Sequence, residues 1–432
     1  MLSSRYRVRW LFDQGLPRTL LRWQGYRGDP VGSLIASPAG LHDPHPFIEA
    51  IRARGRMYRT PFAWVTSDYE ISRSILRDST FGVLGLDKTA VPDALQRFLG
   101  NAELPPNPVE GPSMLALDPP DHTRLRKSVS KAFTPRAIAR LRDRVEAVTA
   151  ELLDRLPEHG SADLITDFAA QLPIAIISDM LGFPQESKDR FLAWGDRTTP
   201  LLDFGISWRQ WRDAVESMRV MDGYLDTHIA RLRREPGEDI LSSLVRDGDL
   251  DDRELKATAT LLMGAGFETT VNLIGNGVFR LRENPDQLAL LRADPALWPQ
   301  AVEEILRYDA PITLTGRMAL SDTEAGDIRL RRGRVVVISL TGANRDPRKF
   351  ENPDAFDITR ANAKDHLSFS SGIHICLGAS LARMEATHAL RSLFERYPDL
   401  TLAGAPTRRR LYTLYGYEHM PVRLGKRVSA PV

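Results

Sequence analysis

Phe369-Ser370-Ser371-Gly372-Ile373-His374-Ile375-Cys376-Leu377-Gly378 sets the reading of this chain, because it places the single cysteine at the start of a helical pattern running to about Arg396. At a helix start, backbone amides and the positive end of the helix dipole surround the sulfur and favour the thiolate that a metal requires. Gly372 permits a tight turn toward the sulfur, and Gly378 leaves room for a flat ligand close to the backbone. A cysteine taken alone reads as an inert buried thiol; Phe369, Gly372, His374 and Gly378 at fixed spacing around it argue otherwise. A structural zinc site would need about four nitrogen or sulfur ligands, and there is no second cysteine to build one.

Around this loop the periodicity is helical. Leu125, Val129 and Phe133 fall four apart, as do Leu377 and Leu381, with Met384 three further on. Arg253 to Leu281 reads as one long helix, apolar around Leu261, Leu262 and Met263 yet interrupted by Gly264, Gly266, Glu268, Thr269 and Thr270, which a purely structural buried helix does not need. Strand signals are short: Arg334 to Leu340, Arg317 to Leu320 and Leu411 to Leu414. Turn chemistry concentrates in Asn101 to Pro112 and Asn344 to Pro353, and neither behaves as an interdomain linker. The expected class is mainly α with small β-sheets, residues 1–432 forming a single domain, with 1–40 as an N-terminal arm and helix packed on the body.

The chain has 432 residues, 42% of them hydrophobic, and a net charge of +2 on nearly balanced acids and bases, which gives no global pull toward nucleic acid. One cysteine forms no internal disulfide and fits a reducing, cytoplasmic setting. Ser3 to Gly25 mixes apolar residues with Arg5, Arg7, Arg9, Arg18 and Arg22, so it has neither the apolar run of an integral membrane span nor a signal-peptide cleavage pattern. An Arg-rich arm touching an acidic membrane surface ranks below a solvated helix on the body.

The cysteine loop resembles the haem-binding loop of the cytochrome P450 family, whose cysteine thiolate is the axial iron ligand and pushes electron density toward oxygen cleavage. Ser370 stands where many members carry glycine, though serine is also common. Ala265-Gly266-Phe267-Glu268-Thr269-Thr270 resembles the distal motif, with Phe267 where histidine is frequent. Small Ala265 and Gly266 make space beside a ligand, while a Thr hydroxyl competes for a backbone carbonyl and loosens the helix. His122 and Arg126, four apart after Asp118-Pro119-Pro120, match the segment that pairs with a haem propionate, and Arg317 and His374 match two further propionate partners. Glu304 and Arg307 match the Glu-x-x-Arg pair; the side chain that often completes that cluster is missing at Ala355, so Arg360 or a backbone group is the expected substitute. The cadence is most like soluble actinobacterial members, notably a mycobacterial group.

The resemblance implies a triangular, mostly helical fold with haem b (iron protoporphyrin IX) buried between the long helix and the helix after Cys376. It implies a monooxygenase that inserts one oxygen atom of O2 into a hydrophobic small molecule such as a lipid, terpenoid or polyketide, with protons passing by Glu268 and Thr269. No Gly-x-Gly-x-x-Gly opens a strand-to-helix unit, so electrons are expected from a separate ferredoxin and ferredoxin reductase. Arg124, Lys127, Lys131 and Arg383 are the candidate docking patch. The substrate channel is expected along Phe81 to Pro112, Leu262, Ala265, Ile312 to Leu314 and Tyr412 to Tyr415, including Leu414. A peroxide-using haem-thiolate enzyme and a noncatalytic haem sensor are the alternatives.

Overall fold

The computed structural model describes residues 4–84, 105 and 107–428. Its centre is a helix of 32 residues, Asp252–Glu283, which starts at a reciprocal cap between Asp251 and Glu254 and stops at Asn284, ahead of Pro285. Both boundaries fall within two residues of the sequence expectation. The helix is buried along most of its length because others pack on several sides: Gln171–Met180, Trp298–Tyr308 and Ala379–Arg396 all lie against it. Their apolar faces form one large core that includes Leu172, Ile176, Val271, Ile274, Ile305 and Leu390.

The strands form small sheets, so the architecture is mainly α with small β-sheets. The largest has five strands in the order 58–59, 64–66, 335–339, 314–319, 81–83. Only the pairing of 64–66 with 335–339 is parallel; the rest are antiparallel, with Arg317 opposite Val336 on one side and Val83 on the other. Val335–Ser339 and Leu314–Ala319 match two of the strand expectations.

The third expectation fails. Leu411 to Leu414 is an irregular segment, and the nearby strands are Thr407–Arg408 and Tyr417–His419. The amides that a strand would spend on a ladder go to a side chain instead: Tyr412 and Thr413 donate to the Asp203 carboxylate at 3.0 and 2.9 Å. Only an isolated bridge joins Leu414 to Ile312.

Candidate active site

The loop before the last long helix is shaped by two residues with positive φ. Gly372 lies at φ +70, where a Cβ would collide with the carbonyl of Leu76, and Ser370 lies at φ +62, a conformation that explains why glycine suits that position. The turn brings Cys376 N to the carbonyl of Phe369 at 2.8 Å. The helix proper begins at Ala379, so the sulfur sits just ahead of it and accepts a hydrogen bond from the Gly378 amide. Burial pushes the thiol pKa up, while that amide and the charges of Arg126 and Arg383 pull the other way. Cys376 is nevertheless accessible as a residue, so its sulfur is crowded by protein and still reachable. A Cβ on Gly378 would meet nothing within 4 Å, as expected where the backbone borders open space.

Ala265 is exposed in the middle of the long helix, although Leu261, Leu262 and Phe267 around it are buried. Thr269, one turn on, donates its hydroxyl to the Ala265 carbonyl at 2.8 Å, the local competition that Thr in a helix is expected to offer. Glu268 is buried. Burial pushes its carboxyl pKa up to about 7, Arg409 draws it down and Asp196 adds to the rise. Arg409 Nη2 approaches Glu268 Oε2 to 3.1 Å as an ion pair without hydrogen-bond alignment. Phe267 is packed on Gly195, where a Cβ would overlap its ring.

Four groups, His122, Arg126, Arg317 and His374, converge beside the loop, with the Asp118 carboxylate acting on three of them. The His122 and His374 rings lie 4.2 Å apart. Both nitrogens of His122 and Nε2 of His374 are buried with no hydrogen-bond partner. Burial, then Arg126, lowers the His122 pKa; burial, then Arg317, lowers that of His374 to about 3. Arg317, fixed on its strand by contacts to Thr315 Oγ1 and the Gly316 carbonyl, is buried enough to fall to about 10 despite Asp118. Arg126 donates to the Ile375 carbonyl at 2.6 Å. Orphaned buried nitrogens cost on the order of 1–3 kcal/mol each, and a ligand bearing two carboxylates would satisfy them and oppose every one of these shifts. The residues present therefore fit a flat, dianionic group reaching from Cys376 to this cradle.

A model of the family described as cytochrome P450 matches residues 96–400. The chain belongs to the cytochrome P450 family. It is 44% identical over 429 residues to cytochrome P450 140 of Mycobacterium tuberculosis, covering 97% of this chain and 98% of the relative. It is 40% identical to 6-deoxyerythronolide B hydroxylase of Saccharopolyspora erythraea over 84% of this chain and 90% of that one. Among solved structures, P450BioI in complex with an acyl carrier protein ligated by hexadec-9Z-enoic acid superposes with a TM-score of 0.82 at 35% identity, covering 89% of this chain and 99% of that chain. This P450 is a haem-binding monooxygenase, and among the described residues no helix is long and apolar enough to cross a membrane.

In this P450 the Glu304–Arg307 pair is entirely buried. Arg307 Nε and Nη2 donate to the two Glu304 oxygens at 2.7 and 2.8 Å, and the guanidinium also reaches the carbonyls of Asn344, Pro353 and Ala355. Both expected substitutes for the missing side chain at 355 are in use: Arg360 Nε lies 3.3 Å from Glu304 Oε1, and the Ala355 carbonyl accepts from Arg307 and Arg360.

Sequence reasoning missed Arg409, whose only signal is the run Arg408-Arg409-Arg410. It also missed Glu385, a buried carboxyl on the helix after Cys376 that hydrogen-bonds Thr270 and is pushed by burial up to about 8. Three of the four cations proposed for docking are already paired, Arg124 with Glu254, Lys131 with Asp247 at 2.9 Å and Arg383 with Glu303 at 2.5 Å, so the patch is less basic than its sequence suggests. Of the channel residues, Ile312 and Leu314 are half-buried, Leu262 is buried and Leu414 is packed away behind its bridge to Ile312; positions 85–104 and 106 lie outside the described residues.

Proposed function

We propose that this P450 draws electrons from a separate ferredoxin and its reductase in the cytoplasm and oxygenates a hydrophobic small molecule, with Cys376 as the axial ligand of haem b. The observation that carries the reading is the set of unpartnered nitrogens on His122 and His374, flanked by Arg126 and Arg317, beside the loop that presents the sulfur. When bound, the haem supplies the binding and reductive activation of dioxygen.

The protein's own groups then divide the work. The Gly378 amide, Arg126 and Arg383 favour the Cys376 thiolate. His122, Arg126, Arg317 and His374 neutralise the propionates, while Phe369, Gly372, Gly378 and Ala265 shape the space for the ring. Glu268, with a pKa near neutrality, takes protons arriving past Arg409 and Asp196 and passes them to Thr269, whose hydroxyl oxygen remains able to accept while its hydrogen points to Ala265. Glu304 and Arg307 hold the segment before the cysteine loop. Leu262, Ala265, Ile312 and Leu314 contribute an apolar boundary for substrate, with Leu414 packed behind Ile312. The relatives fit such a substrate class, since one is named for hydroxylating 6-deoxyerythronolide B and another holds a fatty acyl group on its carrier protein. A ferredoxin docking near Lys127 would have to compete with Glu254, Asp247 and Glu303 for the neighbouring cations.

A reduced carbon-monoxide difference spectrum tests the ligand assignment. The wild type should give a thiolate-type Soret band that Cys376→Ala lacks; a nitrogen-type band in the wild type would rule the assignment out. Turnover driven by NADH, reductase and ferredoxin, measured against turnover driven by peroxide, then tests the electron source, and faster peroxide turnover would overturn it.

A further inference from the structure

The helical arm that opens the described chain, Ser4–Trp10 continuing through a wider turn at Leu11–Gly15 into Leu16–Tyr26, is fixed to the body by one face. Tyr6 packs on Trp211 and its hydroxyl accepts from Arg219 at 2.9 Å. Trp10 Nε1 donates to the Ile206 carbonyl at 3.0 Å, Gln14 Oε1 accepts from the Gly205 amide at 2.7 Å, and Arg18 donates to the Gly205 carbonyl at 2.8 Å. These contacts recur every four residues, so they occupy one side of the helix.

The outward side is apolar. Phe12, Leu16, Leu20 and Trp23, spaced four, four and three, are exposed by 41, 45, 38 and 54%, and Leu11 and Tyr26 extend the stripe. Six of the fourteen large hydrophobic residues exposed among the described residues thus fall between positions 11 and 26. Single exposed apolar side chains need no explanation, whereas a contiguous stripe marks a contact surface. The arm's packing on the body leaves this stripe unused.

Charge selects the partner. Ser4 to Gly28 holds six arginines against one aspartate, a net +5 in a chain whose total is +2, so the rest of the molecule is net negative. Arg9 is spent on Asp13 and Glu110. Arg7, Arg22 and Arg27 are exposed with no ion pair among the described residues, and the Arg27 guanidinium stacks over the Trp23 ring at 4.8 Å. A second copy meeting this face symmetrically would set one cationic arm against another. An anionic bilayer offers phosphates to the arginines and an acyl boundary to the stripe in one surface, with tryptophan at the level where it is favoured. We propose that this arm docks the enzyme on anionic lipid, lying in the headgroup plane with Leu16, Leu20 and Trp23 inserted. Its inner face meanwhile holds Gly205 and Ile206, next to the Asp203 that fixes Tyr412 and Thr413, so docking brings that loop to the membrane.

Cosedimentation of full-length, haem-loaded protein with vesicles tests this. Vesicles of phosphatidylcholine mixed with phosphatidylglycerol should pellet the wild type about tenfold or more better than phosphatidylcholine alone, and added salt should weaken the binding. Leu16→Asp with Leu20→Asp should abolish pelleting, and Arg22→Glu with Arg27→Glu should remove the preference for anionic lipid, each with an unchanged Soret absorbance as the check that the fold is intact. Failure of the wild type to pellet, or undiminished pelleting of the Leu16→Asp, Leu20→Asp protein, would overturn the proposal. So would a wild-type dimer that this double variant converts to a monomer, with no vesicle binding by either.

Discussion

Arg409 Nη2 stands 3.1 Å from Glu268 Oε2, and this contact works against the rise in pKa that burial imposes on the carboxyl in the middle of the long helix. Burial, the larger effect, raises the Glu268 carboxyl to about 7 even though the guanidinium draws it down. A carboxyl donates only when protonated, so oxygenation limited by proton delivery should slow as pH rises through about 7. Arg409→Gln removes the attraction for the anion and should move that alkaline limb upward. Glu268→Gln should retain haem and its carbon-monoxide spectrum while losing about 10²–10⁴-fold in coupled turnover. A pH profile of product formation with the same limb in both variants would remove Glu268 from the proton path.

The cradle predicts a stability effect whose sign depends on haem. Arg317 is buried with its pKa depressed to about 10, the sign of a charge short of compensation in the haem-free protein. Replacing it by methionine removes that charge, so Arg317→Met should leave the haem-free protein unchanged or more stable. With haem bound, the same change deletes a propionate partner and should cost on the order of 1–3 kcal/mol, with faster haem loss to a scavenger globin. Urea titrations of both forms decide it, and a loss of equal size in each would mean that Arg317 is structural only.

Arg360 Nε reaches Glu304 Oε1 at 3.3 Å beside Ala355, and the buried cluster makes its worth measurable. Removing Arg307 strands Glu304 without its main cation in a dry site, which costs about 3–5 kcal/mol. Arg360→Ala leaves the Arg307 pair intact, removing one contact to Glu304 and the bonds to the carbonyls of Glu351, Asn352 and Ala355. Its loss should be smaller, about 1–3 kcal/mol. Ala355→Arg in that background should restore part of it. Denaturation in which Arg360→Ala equals wild type would show that the backbone alone completes the cluster.

What the sequence disclosed and what it hid follow from how local each interaction is. The cysteine loop is legible because its constraints fall on consecutive residues, and its tight turn shows as positive φ at Ser370 and Gly372. The long helix is legible through its cap, its length and the polar residues that interrupt it. The partner of Glu268 is not, because Arg409 comes from a distant strand region with no spacing to give it away. Leu411 to Leu414 has strand composition, yet a single carboxylate, Asp203, captures the amides that would have made a strand. The docking patch was overestimated because Glu254, Asp247 and Glu303, remote in sequence, fold back onto its cations.

Glu385 offers the sharpest pH test. It is buried on the helix after Cys376, bonded to Thr270 on the long helix, and burial pushes its carboxyl from the ordinary value of 4.5 up to about 8. A folded pKa above the unfolded one means that the neutral carboxyl stabilises the fold in full below about pH 4.5. That advantage erodes as pH rises toward about 8, because the unfolded chain ionises first. At about 1.4 kcal/mol per pH unit the total is on the order of 5 kcal/mol, less whatever relaxation and water entry recover. Glutamine keeps the shape and a hydrogen bond to Thr270 but does not ionise. Glu385→Gln should therefore match the wild type near pH 5 and exceed it in stability near pH 9, with the crossover visible in urea midpoints measured across that range. Equal pH dependence in the two proteins would mean that the Glu385 carboxyl titrates at its ordinary value and that the buried contact with Thr270 is made by the anion.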